Sequence, residues 1–198
     1  MKHRTIVILL QGIGATGAQL LPLAAAWKAF LPLVRFVAPD APYHGARGHE
    51  WFKVDGAALE PESLRSVRDA FDETIAKVLA KEGFGQGYAR IAFVGVSQGA
   101  IMALDAVASG RWKADAVVSY AGLLAPGPVS TASRKTPILL VHGGDDRTIP
   151  SFASSSAATR LRAAGFEVDL YVEPGVDHTI SSEGAQMALA FLRKRLPH

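Results

Sequence analysis

Ile91-Ala92-Phe93-Val94-Gly95-Val96-Ser97-Gln98-Gly99-Ala100-Ile101-Met102-Ala103-Leu104 sets one serine between two glycines, with an apolar run on either side. The first run reads as a strand and the second as the start of a helix, so Ser97 stands at the apex of a sharp strand-to-helix turn, the setting of a nucleophile elbow. The glycines have a steric reason to be there. Such a turn forces the serine into a strained backbone conformation, and a side chain at 95 or 99 would collide with the neighbouring strand or helix. Ser97 then projects its hydroxyl above the carboxyl edge of a sheet, and the helix behind it directs partial positive charge to the place where an oxyanion would form.

The elements on either side of this turn alternate. Thr5 to Leu10 is a continuous apolar run, as in a buried parallel strand, and Gly17 to Phe30 has helical spacing. Val34 to Ala38 reads as a strand, and Pro39 to Glu60 as a long loop without periodicity that carries Pro42, Gly45, Gly48 and Gly56. Pro61 to Lys81 is an amphipathic helix with Leu64, Val67, Phe71, Ile75, Val78 and Leu79 on one stripe. After the strand Ile91–Val96 and the helix Gln98–Ser109 come strands at Ala116–Tyr120, Ile138–Val141 and Val168–Val172. Helices are expected at about 152–164 and 181–195. The alternation predicts a single domain, 1–198, of α/β class: a doubly wound, mostly parallel sheet with its site at the carboxyl ends of the strands.

Composition removes several function classes. At 198 residues the chain is long enough for a substantial core, and 49% hydrophobic content argues against disorder. A net charge of +3 is too small and scattered for nucleic acid. No apolar stretch reaches about 18 residues, so no membrane span is expected. The basic Met1-Lys2-His3-Arg4 start leads into an apolar run too short for a signal peptide. Cysteine is absent, which excludes disulfides, thiolate metal sites and a cysteine nucleophile. A cytoplasmic location follows as the expectation. The Arg193-Lys194-Arg195 run complements the end of the last helix.

Gly12-Ile13-Gly14-Ala15-Thr16-Gly17 offers a rival chemistry. It matches G-x-G-x-x-G after the first strand, with Asp40 near the end of the second, and so describes an NAD(P) site of an oxidoreductase. The same loop serves a serine nucleophile differently, by exposing a backbone N–H that forms half of an oxyanion hole.

A serine hydroxyl needs a base to take its proton and a carboxylate to hold that base in the right tautomer. With such an elbow the acid and then the histidine follow the serine along the chain. His142 ends a strand and His198 ends the chain, whereas His178 lies in Glu173-Pro174-Gly175-Val176-Asp177-His178, between the last strand and the last helix. For the acid, Val141-His142-Gly143-Gly144-Asp145-Asp146-Arg147-Thr148-Ile149-Pro150 offers two adjacent aspartates, and spacing alone does not choose between them.

Four segments together make the chain resemble the phospholipase/carboxylesterase family of α/β-hydrolases, which includes acyl-protein thioesterases and small bacterial carboxylesterases. They are Gln11 to Gly17, Trp51-Phe52, Gly95 to Gly99, and the His142–Pro150 stretch with Gly175-Val176-Asp177-His178. The resemblance implies a minimal α/β-hydrolase fold without a lid domain. Aligned on the family's His-Gly-x-x-Asp-x-x-Val-Pro pattern, the acid falls on Asp146 and the base on His178. The oxyanion hole falls on the backbone N–H groups of Ile13 and Gln98. Three departures stand out: Gln11 where the family usually has histidine, Ala100 where it usually has glycine, and Lys53 where it usually has an acid.

The expected activity is hydrolysis of short- to medium-chain acyl esters through an acyl-enzyme, without metal or organic cofactor. Thioesters, protein acyl groups and lysophospholipids are alternative substrates, and a catalytically silent binding module is a further reading. Tyr43, Trp51, Phe52, Leu123, Leu124 and Ile149 are the candidate substrate contacts. The partner is then a small-molecule acyl ester, and the oligomeric state, with a homodimer as one option, stays open.

Overall fold

The computed structural model of the protein describes residues 5–54, 59, 61–84 and 90–197. Met1 to Arg4, Gly56 and His198 lie outside the described residues. In chain order the elements are β1 (Thr5–Leu10), a short 3-10 turn (Gly17–Leu20), α1 (Leu21–Lys28), β2 (Val34–Val37), β3 (Tyr43–Gly45) and β4 (Gly48–Glu50). There follow α2 (Pro61–Lys81), β5 (Arg90–Val96), α3 (Gln98–Ala108), β6 (Ala116–Tyr120), β7 (Ile138–Gly143), α4 (Phe152–Ala163), β8 (Val168–Glu173) and α5 (Ser182–Arg195).

Six strands form one sheet in the order β2-β1-β5-β6-β7-β8, every neighbouring pair parallel. Strand side chains alternate between faces, and here both faces are apolar. Ile6, Ile8 and Leu10 of β1, Ile91 and Phe93 of β5, and Ile138 and Leu140 of β7 pack against α2, α3 and α4. Val7, Leu9, Ala92, Val94, Leu139 and Val141 face α1 and α5, through Trp27, Phe191 and Leu192. Helix α3 is buried at every position, which its run of alanine, isoleucine, methionine, leucine and valine suits. Its one charged residue, Asp105, is neutralised by Arg68 (2.7 and 2.9 Å) and Arg111 (2.8 Å).

The chain winds one way from β1 to β2 and then crosses back to β5. The order therefore reverses between β1 and β5, the place where open α/β sheets leave a crevice for ligand. The loops after these two strands are the Gly12–Gly17 loop and the Ser97 turn.

Two segments differ from expectation. Gly17 to Phe30 is not one helix, because Pro22 in an α-helix running from Gly17 would lack its N–H and clash with the carbonyl four residues back. The α-helix begins at Leu21 instead, with proline in its first turn. The 39–60 segment holds a small antiparallel hairpin, β3 with β4, with Gly45 paired to Gly48. Its tip is Ala46-Arg47, which carries none of the Asn-Gly or Asp-Gly signals that mark such turns. The 121–137 segment between β6 and β7 contains no helix or strand, so no lid is inserted there. Among the described residues no helix is long and apolar enough to cross a membrane.

Candidate active site

Ser97 adopts φ 53°, ψ −116°, a region costly for any residue with a side chain, on the order of 1–3 kcal/mol. Neighbours hold it there. The Ser97 N–H donates to Tyr120 O at the end of β6 (2.9 Å). A Cβ on Gly95 would lie 2.4 Å from Ala100 N, and one on Gly99 2.2 Å from Leu10 O, so backbone occupies the space any side chain would need.

The glycine loop after β1 closes on this serine: a Cβ on Gly12 would sit 3.3 Å from Ser97 Cβ. Its conformation is set by the 39–52 segment. Gly14 N–H donates to His49 O (2.8 Å), Gly17 N–H to Asp40 Oδ1 (2.7 Å), and the Trp51 indole N–H to Gln11 O (3.0 Å). The Gln11 carboxamide, oriented as its neighbours require, donates to Pro39 O (3.1 Å) and accepts from Ala41 N (2.8 Å). Asp40, which the dinucleotide reading places on a ribose, is thus occupied with the loop itself, and Gly14 has no N–H to spare for a phosphate.

Two N–H groups at the crevice are left over. Among the described residues the Ile13 N–H has no acceptor. The Gln98 N–H belongs to the first turn of α3, where no intrahelical acceptor exists. The Gln98 side chain is spent: it accepts from Trp51 N (3.0 Å) and donates to Phe52 O (2.8 Å), joining the start of α3 to the segment that braces the glycine loop.

Of the adjacent aspartates, Asp145 is exposed and Asp146 buried. Asp146 Oδ1 accepts from the backbone N–H groups of Thr148 (2.8 Å) and Ile149 (2.9 Å), and Oδ2 lies 2.6 Å from His178 Nδ1. Burial works to raise the Asp146 carboxyl, but the His178 hydrogen bond and the Ile149 and Thr148 amides outweigh it and hold the carboxyl below its usual range. Because Oδ2 is an acceptor, His178 Nδ1 carries a proton, which leaves Nε2 as the basic nitrogen of the neutral ring. The β7–β8 pairing extends into the loops through Gly144 N–H to Glu173 O (2.7 Å) and Asp145 N–H to Val176 O (2.9 Å). A Cβ on Gly143 would lie 2.3 Å from Val176 O, so the glycine lets the histidine loop lie against the acid loop.

The structure therefore joins Asp146 to His178 and the Ser97 turn to the glycine loop. No hydrogen bond among the described residues links the Ser97 hydroxyl to His178, a bond that commonly tightens only with substrate in place. Of the candidate substrate contacts, Tyr43 is exposed, and Leu123 and Ile149 are partly buried at the edge of the core. Trp51 (1% exposed), Phe52 and Leu124 lie within the core, with Trp51 against Phe71 at a ring distance of 5.5 Å. Trp51 thus braces the loop rather than walling the crevice. Sequence spacing gave no sign of His49, whose backbone carbonyl holds Gly14, and it offered His142 only as a strand end and the start of the His-Gly pattern, not as an imidazole beside Asp146. Among the described residues no group of three or more His, Asp or Glu side chains converges as a metal would need.

Comparison with known proteins identifies the family and the fold. The phospholipase/carboxylesterase family model matches residues 1–196. Esterase YpfH of Escherichia coli is 30% identical over 97% of this chain and 83% of its own length. Acyl-protein thioesterase 1 of Gibberella zeae is 26% identical over 99% and 92%. The crystal structure of esterase PE8 superposes with a TM-score of 0.81 at 31% identity, covering 98% of this chain and 93% of that one. The carboxylesterase of Bacillus cereus, at 16% identity and a TM-score of 0.84, shares the fold. The chain belongs to the phospholipase/carboxylesterase family and is an α/β-hydrolase.

Proposed function

We propose that this single-domain protein is a serine carboxylesterase acting on short- to medium-chain acyl esters, with Ser97 as nucleophile, His178 as base and Asp146 as the carboxylate that orients it. The 2.6 Å bond between His178 Nδ1 and Asp146 Oδ2 carries this reading. It presents a basic Nε2 on the sheet edge where the strained Ser97 stands. His178 Nε2 takes the Ser97 proton as Oγ attacks the ester carbonyl. The Ile13 and Gln98 N–H groups receive the oxyanion, aided by the N-terminal end of α3. His178 then gives its proton to the departing alcohol, leaving an acyl-serine. Water, deprotonated by the same nitrogen, attacks the acyl carbon, and collapse of the second oxyanion returns the proton to Ser97 and releases the acid.

The absence of an inserted segment between β6 and β7 favours an open site for small esters, with Tyr43, Leu123 and Ile149 as the apolar surface available to an acyl chain. Covalent labelling by a fluorophosphonate, lost in Ser97→Ala, is the expected result; no labelling of folded protein would refute the nucleophile. A panel of p-nitrophenyl esters of increasing chain length, run beside an acyl-CoA and a lysophospholipid, is expected to favour the short and medium esters. Strong preference for the lysophospholipid would overturn that substrate class.

A further inference from the structure

We infer that His142 is a positioning residue for the proposed reaction: a second histidine, fully buried, that braces the loop donating to Asp146, the carboxylate on which His178 depends. His142 ends β7, and its side chain has no contact with solvent. Nε2 lies 3.2 Å from Asp146 Oδ2 and 2.8 Å from Ile149 O. Both are acceptors, so Nε2 carries the proton. In the neutral ring Nδ1 is then an acceptor, and it lies 2.6 Å from the hydroxyl of Ser154 in the first turn of α4, which donates to it.

The ring thereby joins three elements: the end of β7, the acid loop through Ile149, and α4 through Ser154. Among the described residues Asp146 has three hydrogen bonds, from Thr148, Ile149 and His178, and the His142 ring fixes the peptide of Ile149, one of those donors, while Nε2 rests 3.2 Å from Oδ2. A carboxylate with one donor missing can pivot about its Cβ–Cγ bond. One held by all three, with the Ile149 peptide fixed by His142, cannot, and the direction of Oδ2 sets the direction of the His178 ring. The groups facing His142 are Asp146 and Ile149 O from its own loop, Ser154 from α4, and His178 across Oδ2.

The inference rests on Asp146 and His178 acting with Ser97, so the first measurement is ester turnover and its loss in Ser97→Ala. Failure there refutes the triad and leaves the His142 contacts as a purely structural matter. With turnover established, two variants separate the roles of the ring nitrogens. In His142→Asn the amide reaches the place of Nδ1, near Ser154, but not Ile149 O. In His142→Gln the amide reaches the place of Nε2 and can still donate to Ile149 O. His142→Asn is expected to lose kcat about 10- to 100-fold with KM little changed, as a misdirected catalytic group does, and His142→Gln to lie at least about tenfold above it.

The downfield proton resonance of the His178–Asp146 hydrogen bond is expected to weaken or shift in His142→Asn and to return in His142→Gln. Ser154→Ala, a small deletion that frees the ring without opening the core, gives an intermediate loss in kcat. Equal kcat losses in the Asn and Gln variants, a loss confined to KM, or an unchanged resonance in a folded His142→Asn protein would each overturn the inference.

Discussion

Gln98→Ala tests whether the start of α3 is joined by hydrogen bonds to the segment that braces the glycine loop. The Gln98 carboxamide is buried, and it satisfies the Trp51 N–H at 3.0 Å and the Phe52 carbonyl at 2.8 Å. Removing it strands two buried backbone groups, each at about 1–3 kcal/mol. The vacated space has two polar partners for a water, the least a buried water needs, so the loss falls near the low end, about 2–3 kcal/mol. For a chain of this length that lowers Tm by roughly 4–12 °C. The assay is urea unfolding of wild type, Gln98→Ala and Gln98→Met. Methionine restores the volume without the hydrogen bonds, so both variants are expected to lose stability. The Gln98 N–H survives in each, yet Trp51, which anchors Gln11 O, loses its tie to α3, and kcat is expected to fall about tenfold. Full stability in Gln98→Met would show that packing and not hydrogen bonding joins these segments, and unchanged kcat in both would disconnect them from the oxyanion hole.

Asp146→Asn is expected to lower kcat by about 10³- to 10⁴-fold, because an amide oriented by two backbone donors cannot secure the His178 tautomer, whereas the exposed Asp145→Asn changes it less than about threefold; steady-state kinetics on one p-nitrophenyl ester separates the two. The depressed Asp146 carboxyl contributes stability that is present above its unfolded value, about 3.9, and is lost as pH falls through the lower folded value. The urea midpoints of wild type and Asp146→Asn should therefore converge below about pH 4. Asp105→Ala takes from Arg68 its carboxylate at 2.7 Å, whereas Arg111 keeps Asp72 at 2.9 Å; both arginines retain some contact with water, so the cost is expected at about 1–3 kcal/mol, read from the same unfolding curves.

Local chemistry made much of this molecule legible from its residues. Glycine at 95 and 99 around Ser97 has one steric explanation, a strand-to-helix turn, and the backbone atoms at 2.4 and 2.2 Å from the missing Cβ positions supply it. The strand runs were readable because a parallel strand covered on both faces needs apolar side chains at every position. The α1 start and the β3–β4 hairpin were not readable. In the first, one proline outweighed a helical spacing pattern, and in the second the ends are held by contact with Gly14, far away in sequence.

The choice between adjacent aspartates shows where sequence spacing stops. Asp145 and Asp146 have the same chemistry, and only burial together with the Thr148 and Ile149 amides makes one of them the partner of His178. Trp51 reads equally as a ligand wall or a core residue until Phe71 and Gln11 are seen against it. His142 reads as the end of a strand until Ser154 and Asp146 close around its ring. Residue types and short spacings dictated the elbow, the class of fold and the histidine loop, since each depends on sterics and apolar burial within a few residues. Which oxygen faces which nitrogen depended on the sheet bringing β5, β7 and β8 side by side, because a hydrogen bond's partner is set by distance in space, which spacing along the chain does not encode.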